Sequence, residues 1–285
     1  MPIRNYTLAP FVVLLALCTN VELHALGHRI VDADSTSRAI DSIARINNDG
    51  SRNDLEQFGY DVGHALTAPA RWDSHDLMIA GGVVAGTVGA LLLEHEFRDL
   101  MLRNQSPFND ALDKVGYTYG APQYAIPGVL LIYLGGLIAD DDWTRQTGLM
   151  LISTLAASGV IQIPARIIAG RARPNANLGN ADFDPFGGTA QHRASFISGH
   201  AAIAFGISTV LARRIDHPIA TVLLYSLALT TPYVRMNRDA HWLSDAFFGS
   251  VLGVVIGNVI VDGRLESKPI GITVSPSGVG LTYTW

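Results

Sequence analysis

The sequence predicts an all-α protein, a six-helix bundle that spans a membrane and ends in a short C-terminal β-hairpin. Charged residues make up 16% of the chain, compared with about 25% in an average soluble domain. Six segments contain no Asp, Glu, Lys or Arg, and each is about as long as a bilayer-spanning helix. They cover residues 77–93, 119–139, 146–165, 196–212, 218–234 and 246–261. A soluble bundle with uncharged core helices is the alternative, but six such runs favour the membrane.

Residues 1–25 are predicted to be an export signal. Arg4 supplies the positive start, residues 8–18 form an apolar core, and Ala25 is a candidate cleavage point. The apolar core is too short to cross a bilayer as a helix. An uncleaved anchor and lipidation at Cys18 remain alternatives. Because Cys18 is the one cysteine of the chain, an internal disulfide and a cysteine-based zinc site are excluded.

The remaining chain divides into an arm, a bundle and a tail. Residues 26–76 are a polar arm on the outside of the main domain, with one amphipathic helix predicted at 39–46. The bundle covers 77–262, and its polar linker at 94–116 is expected to hold a short helix. The tail, 263–285, reads as two short strands around a Ser-Pro-Ser-Gly turn, which predicts the hairpin.

Residues 235–245, between the last two apolar segments, are dense in polar and charged side chains. His241 and Asp245 are four residues apart, so a helix would place them on one face. The carboxylate could then accept the imidazole N–H and leave the other ring nitrogen free to attack. Arg235 adds a fork of donors that suits a phosphate or carboxylate. A structural Arg/Asp cluster at a membrane helix end is the alternative.

A second basic patch follows the third apolar segment. Arg166 and Arg173 are seven residues apart, so a helix would bring them to one face over two turns, with Pro174 ending that helix. Two fixed cations there suit an anion. Charge that anchors the helix on the cytoplasmic side is the alternative.

Ser198, Gly199 and His200 open the fourth apolar segment. Ser198 is a good helix N-cap, and Gly199 lets the backbone approach a ligand closely. The free N–H groups and positive end of such a helix can receive a phosphate. His200 would stand beside it in the first turn, although a lone histidine at a helix start is more often structural.

These three motifs, taken in order, resemble the type 2 phosphatidic acid phosphatase superfamily, which includes lipid phosphatases, bacterial class A acid phosphatases and vanadium haloperoxidases. That family's pattern is Lys-x6-Arg-Pro, Pro-Ser-Gly-His and Ser-Arg-x5-His-x3-Asp. The match covers about 80 residues, 166–245, and the uncharged segments fit the family's six-helix layout. Three positions depart from the pattern: Arg166 replaces a lysine, Ile197 a proline and Val234 a serine.

The resemblance implies a catalytic role for three residues. His241 would attack phosphorus to form a phosphohistidine, Asp245 would orient it, and His200 would protonate the leaving oxygen and then activate water. No metal or other cofactor is expected, because arginines supply the positive charge that a metal would. The residues implied to bind the phosphoryl oxygens are Arg166, Arg173, Ser198, Gly199 and Arg235.

The expected activity is hydrolysis of a phosphate monoester or diphosphate, of a membrane lipid, since an embedded site can accept a head group sideways from the bilayer. A soluble periplasmic acid phosphatase of broad specificity is the alternative that the export signal motivates. A vanadium haloperoxidase is another, because vanadate would occupy the same anion site. A non-enzymatic membrane scaffold is the third alternative. The net charge of −5 does not favour a nucleic-acid partner.

The position of the motifs bears on location. They follow the third segment, precede the fourth and separate the fifth from the sixth, so they share one face of the bundle. We expect the inner membrane of a bacterial cell envelope, with this face toward the periplasm. A soluble or peripheral periplasmic protein is the alternative.

Overall fold

The computed structural model describes residues 53–266, 271–275 and 278–282. The export signal at 1–25 and the helix expected at 39–46 lie outside these residues. Nine α-helices occupy the first range. In chain order they are α1 (Asp54–Leu66), α2 (Ser74–Leu92), α3 (Glu94–Arg103), α4 (Pro107–Gly120), α5 (Pro122–Ala139), α6 (Asp142–Ala169), α7 (Gly199–Ile215), α8 (Pro218–Asn237) and α9 (Leu243–Glu266).

The all-α class is confirmed, but the count of six helices is wrong for the described residues. The six uncharged segments fall mainly on α2 and on α5 to α9, so each has its own helix. The three further helices come from the polar parts of the chain. The linker at 94–116 forms both α3 and α4, because Ser106 caps a new helix through Asn109 N–H and Pro107 takes its first position.

Five of the helices, α2, α5, α6, α8 and α9, are long and apolar enough to cross a membrane by length and composition. None of the residues of α2 is buried inside the protein. Its uncharged surface therefore needs an apolar environment around it, which agrees with an integral membrane protein. The sixth apolar helix, α7, has 17 residues and lies mostly buried in the bundle.

The connections between helices gather at two ends of the bundle. The end with the α6–α7 connection (170–198) and the α8–α9 connection (238–242) is called the site end, and hydrogen bonds join the two connections there. The far end carries the turns at 140–141 and 216–217, which Arg214 links by donating to the carbonyl of Trp143.

The core lies between α6, α7 and α9. Leu151 of α6, Val210 of α7 and Ile260 of α9 are almost fully buried in one apolar cluster. Small residues bring the backbones of α7 and α9 into contact, since a Cβ on Gly253 would lie 2.3 Å from the carbonyl oxygen of Ala202. This close packing sets the position of the first turns of both helices, where the site residues lie.

Helix α1 docks on the far half of the bundle through a buried carboxylate. Asp61 is 2% exposed and forms a salt bridge of 2.6 Å with Arg264 of α9. Ser153 of α6 and Gln57 of α1 each donate a hydrogen bond of 2.9 Å to the same carboxylate. The end of the predicted arm is thus fastened to the bundle, because a buried carboxylate is stable only with such partners.

Two short strands follow α9. They are β1 (Gly271–Ser275) and β2 (Gly278–Thr282), and they pair antiparallel with Ile272 opposite Leu281. They lie where the sequence predicts the hairpin.

Candidate active site

The end of α6 brings Arg166 and Arg173 together by a turn instead of by one helix. Gly170 ends the helix in the left-handed conformation, with φ of 53°, where glycine is favoured. The prediction that Pro174 ends the helix and that both arginines share a helical face is therefore wrong. Burial lowers the pKa of Arg173, and the nearby charge of Arg166 lowers it further.

Ser198 occupies the N-cap position of α7, as predicted, but its side chain does not cap the helix. Its Oγ is buried and has no hydrogen-bond partner among the described residues. Nε2 of His200, in the first turn, is also buried and also lacks a hydrogen-bond partner among the described residues. A Cβ at Gly199 would lie only 3.0 Å from Oε1 of Gln162. Glycine at this position therefore leaves room for the Gln162 side chain. The start of α7 therefore presents unsatisfied polar groups.

His241 precedes α9, which begins at Leu243. Its Nδ1 lies 2.8 Å from the backbone carbonyl oxygen of Ser195. Because a carbonyl oxygen can only accept, Nδ1 must carry the proton, and Nε2 keeps its lone pair. The expectation that Asp245 accepts this N–H directly is wrong, since the Ser195 carbonyl does so.

Asp245 instead accepts hydrogen bonds from groups around His241. Its Oδ2 accepts from the backbone N–H of Trp242 at 3.0 Å and from Oγ of Ser195 at 2.5 Å, while its Oδ1 accepts from Arg171 at 2.5 Å. As the third residue of α9, its carboxylate reaches back to the N-cap N–H, which competes with a contact to His241. Asp245 therefore acts on His241 indirectly, through Ser195 and through the backbone of Trp242.

The electrostatic environment of His241 favours its neutral form. Burial lowers its pKa well below the ordinary value, and the charges of Arg235, Arg173 and His200 lower it further. The three motifs meet at the site end, since Trp242 Nε1 donates to the carbonyl of Ala172 at 2.8 Å and the Ser198 N–H donates to the carbonyl of Asp245 at 3.2 Å. A neutral imidazole with a free Nε2 is a nucleophile.

The arginines of the site lack carboxylate partners. Arg166, Arg173 and Arg235 form no salt bridge within the described part of the chain. In the same part of the chain, the arginines that do pair with a carboxylate are Arg98, Arg103, Arg145, Arg171, Arg193, Arg213, Arg238 and Arg264. A cluster of cations without counter-charges is the electrostatic complement of an anion.

Unsatisfied buried atoms point to the same place. Across residues 53–266, five buried side-chain atoms lack a hydrogen-bond partner, and four of them belong to the site. Native proteins rarely leave such groups unpaired, so a ligand is expected to satisfy them. A tetrahedral oxyanion can accept from all four. They are Arg173 Nε, Ser198 Oγ, His200 Nε2 and Arg235 Nε.

Metal ligands are scarce by comparison. The described residues contain one group with metal-ligand spacing, Asp73, His75 and Asp76. It lies at the start of α2, where Asp73 and Asp76 form a capping box, and not at the site. Arginines, and not carboxylates, therefore dominate the site itself.

Sequence reasoning missed three residues of the site. Arg171 and Glu94 are each 1% exposed and form a buried salt bridge of 2.7 Å. The ring of Tyr117, on α4, lies 5.4 Å from that of His200, and the guanidinium of Arg235 is 5.8 Å from its centre. Arg171 lies inside the first motif, but Glu94 opens the polar linker and Tyr117 directly follows it, in a stretch that carried no motif.

The architecture and this geometry define a helical bundle with a cluster of histidines and arginines at one end. Residues 147–267 match the family model described as the PAP2 superfamily. Over those residues the match agrees with the resemblance to the type 2 phosphatidic acid phosphatase superfamily.

Individual relatives are distant. The lipid A 1-phosphatase of Porphyromonas gingivalis is 23% identical over 182 residues, which cover 62% of this chain and 36% of the relative. This chain therefore spans about a third of that protein's length.

Two solved structures are similar. The crystal structure of Aquifex aeolicus LpxE has a TM-score of 0.48 at 21% identity and covers 60% of this chain and 95% of its own. The transmembrane PAP2 type phosphatidylglycerolphosphate phosphatase of Bacillus subtilis has a TM-score of 0.50 at 15% identity. It covers 75% of this chain and 97% of its own. The second likeness shows a shared fold.

Proposed function

We propose that this protein is a membrane phosphatase that hydrolyses a phosphate monoester or diphosphate of a lipid through a phosphohistidine intermediate. The observation that carries the proposal is the set of unsatisfied atoms at the site, because one buried side-chain atom in each of two arginines, a serine and a histidine lacks a hydrogen-bond partner there. The family match supports phosphate-ester chemistry. The five apolar helices favour a lipid substrate over the soluble acid phosphatase alternative.

The first chemical step uses His241. Its Nδ1 proton is held by the carbonyl of Ser195, so Nε2 attacks phosphorus and forms the P–N bond. The P–O bond to the leaving oxygen breaks, and His200 supplies the proton that this oxygen takes. His200 then accepts a proton from water, which attacks the phosphohistidine and releases inorganic phosphate.

The phosphoryl group is held by the cations and hydroxyl at the site. We assign this role to Arg166, Arg173 and Arg235, with Ser198 Oγ and the N–H of Gly199 at the start of α7. Their partial burial strengthens each interaction, since water competes less for the phosphoryl oxygens. No metal is required for this chemistry, because the guanidinium groups carry the positive charge.

The test measures phosphate release from phosphorylated lipids by the purified protein in detergent. His241→Ala should abolish release, and acid-labile phosphate should be trapped on the wild type but not on the variant. His217→Ala, at the exposed far end of the bundle, is the matched control and should retain wild-type activity. Full activity of His241→Ala would end the proposal. Vanadate-dependent bromide oxidation without phosphate release would favour a haloperoxidase.

The orientation of the site is a second part of the proposal. We propose that the site end faces the periplasm, which requires the chain ahead of the first bilayer-length segment to stay on the cytoplasmic side, because a cleaved signal followed by six spans would place this end in the cytoplasm. After replacement of Cys18, a cysteine at Gln191, which is exposed at the site end, should react with an impermeant maleimide on intact cells. A cysteine at His217 should not react until the cells are opened. The reverse pattern would place the site in the cytoplasm.

A further inference from the structure

Glu94 and Arg171 form a buried charged cluster beside the site that the proposed chemistry does not use. Arg171 bridges two carboxylates, Glu94 at 2.7 Å and Asp245 at 2.5 Å, and all three side chains are at most 1% exposed. Two carboxylates on one guanidinium leave a net negative charge in the interior. Burying such a charge is costly unless every group is paired, so its presence asks for an explanation.

Every group of this cluster has a partner. Glu94 accepts from Ser244 Oγ at 2.6 Å and from Asn180 Nδ2 at 3.0 Å, besides Arg171. Arg171 also donates to Ser244 Oγ at 2.8 Å and to the carbonyl of Asn180 at 2.7 Å. The cluster therefore joins α3, the α6–α7 connection and the first turn of α9 into one rigid unit.

The contacts continue from the cluster to the nucleophile. Arg171 holds Oδ1 of Asp245, Oδ2 of Asp245 accepts from Ser195 Oγ, and the carbonyl of Ser195 accepts the Nδ1 proton of His241. Each step is a hydrogen bond of 2.8 Å or less. The tautomer of His241 thus depends on a carbonyl that this chain of contacts keeps in place.

We propose that Glu94 and Arg171 are positioning residues that hold His241 in its attacking tautomer through Asp245 and Ser195. The proposal rests on the proposed function, and it adds a residue of α3 that lies outside the matched region 147–267. Glu94 supplies the second carboxylate that orients the Arg171 guanidinium toward Asp245. The net negative charge of the whole cluster also offsets part of the repulsion among the site arginines that form no salt bridge.

The matched control is the other buried carboxylate–arginine pair of the bundle. Asp61 and Arg264 at the far end are paired at 2.6 Å, with side chains 1% and 6% exposed. Glu94→Gln and Asp61→Asn make the same chemical change, a buried carboxylate to an amide opposite an arginine. Both should lose stability, but only Glu94→Gln should change the chemical step.

Glu94→Gln should lower kcat by about ten- to a hundredfold, the range typical when partners behind a reacting group are lost. KM should stay within about twofold. Rapid-quench trapping should show slower phosphohistidine formation at saturating substrate. Asp61→Asn should keep the wild-type kcat per folded molecule. Equal kcat losses in both variants, or an unchanged kcat in Glu94→Gln, would overturn the proposal and leave the cluster a structural one.

A spectroscopic measurement separates this proposal from the proposed function. With ¹⁵N-labelled histidine, and His241 assigned by comparison with His241→Gln, the wild type should show the Nδ1–H tautomer of His241. Glu94→Gln and Arg171→Lys should show a mixture, and Asp61→Asn the wild-type signal. An unchanged tautomer in Glu94→Gln would contradict the positioning role. Absence of phosphatase activity in the wild type would defeat the proposed function alone, because the tautomer is measured without turnover.

Discussion

The far end of the bundle pairs its arginines with carboxylates, whereas the site end also holds arginines that form no salt bridge. At the far end Arg145, Arg213 and Arg264 each form a salt bridge with an aspartate at 2.5–2.7 Å. At the site end Arg173 and Arg235 each have a buried Nε without a partner. A paired arginine fastens helices together, whereas an unpaired and partly buried one is held ready for an anion.

The difference has a cost that argues for function. Burial of cations without counter-charges destabilises the folded protein, and the neighbouring cations add repulsion. Stability alone would favour a carboxylate beside these arginines, as at the far end. The carboxylates nearest the site, Glu94 and Asp245, are instead shared by Arg171. Arg171 thus occupies carboxylate oxygens that could otherwise pair with the arginines that we assign to phosphate binding.

The largest effect that would test this comparison is loss of catalysis at a site arginine. Arg235→Ala should lower kcat/KM by about 10²–10³-fold, the usual effect of removing one donor to a developing oxyanion. Its thermal unfolding temperature should stay the same or rise, since an unpaired cation is removed. Arg213→Ala at the far end is the control and should keep wild-type kinetics. Similar kinetic losses in both variants would mean that the two ends do not differ as described.

A second effect, on stability, should appear at the far end. Arg264→Ala leaves the buried carboxylate of Asp61 without its cation, which should reduce the free energy of unfolding by about 3–5 kcal/mol. Thermal unfolding in detergent measures the change, and kcat per folded molecule should be retained. Arg103→Ala removes an exposed pair with Asp99, at 3.7 Å, and should leave the unfolding temperature unchanged. A small effect of Arg264→Ala would show that α1 is not fastened by this pair.

The smallest effect concerns pH. The pKa of His241 is lowered in the folded protein, so as pH falls the unfolded chain takes up this proton first. Stability should therefore fall as pH drops below about 6.5, by at most about 1.4 kcal/mol per pH unit for this group. The unfolding temperature between pH 7.5 and 5 should decline less steeply in His241→Gln than in the wild type. His217→Gln should keep the wild-type slope, and identical slopes in all three would contradict the lowered pKa.

Much of the helical framework was predictable because it depends on local composition. A run without charge long enough to cross a bilayer identifies a helix wherever it occurs. Polar segments gave weaker signals. Helices α3 and α4 alternate polar and apolar residues over short lengths, and α1 lies in a stretch that reads as an external arm. Their helical state and docking depend on contacts with residues far away in the sequence, such as Asp61 with Arg264.

The site, like the fold, was predictable from the sequence only in part. The positions in the three motifs were visible in the sequence, because each motif is a short run of unusual residue types beside an apolar segment. The contacts were less predictable. His241 and Asp245 at a spacing of four suggested a direct hydrogen bond, but α9 starts after His241, and Ser195, from another connection, accepts the proton.

The sequence by itself determined the bilayer-length helices, the order of the three motifs and the residue types able to grip and attack a phosphate. Only the tertiary structure decided which partner each charge takes, and so which arginines are free and which carboxylates are occupied. The physical reason is that charge pairing in a buried site depends on distance and desolvation. Both are set by how α3, α7 and α9 pack, and no local pattern in the chain encodes that packing.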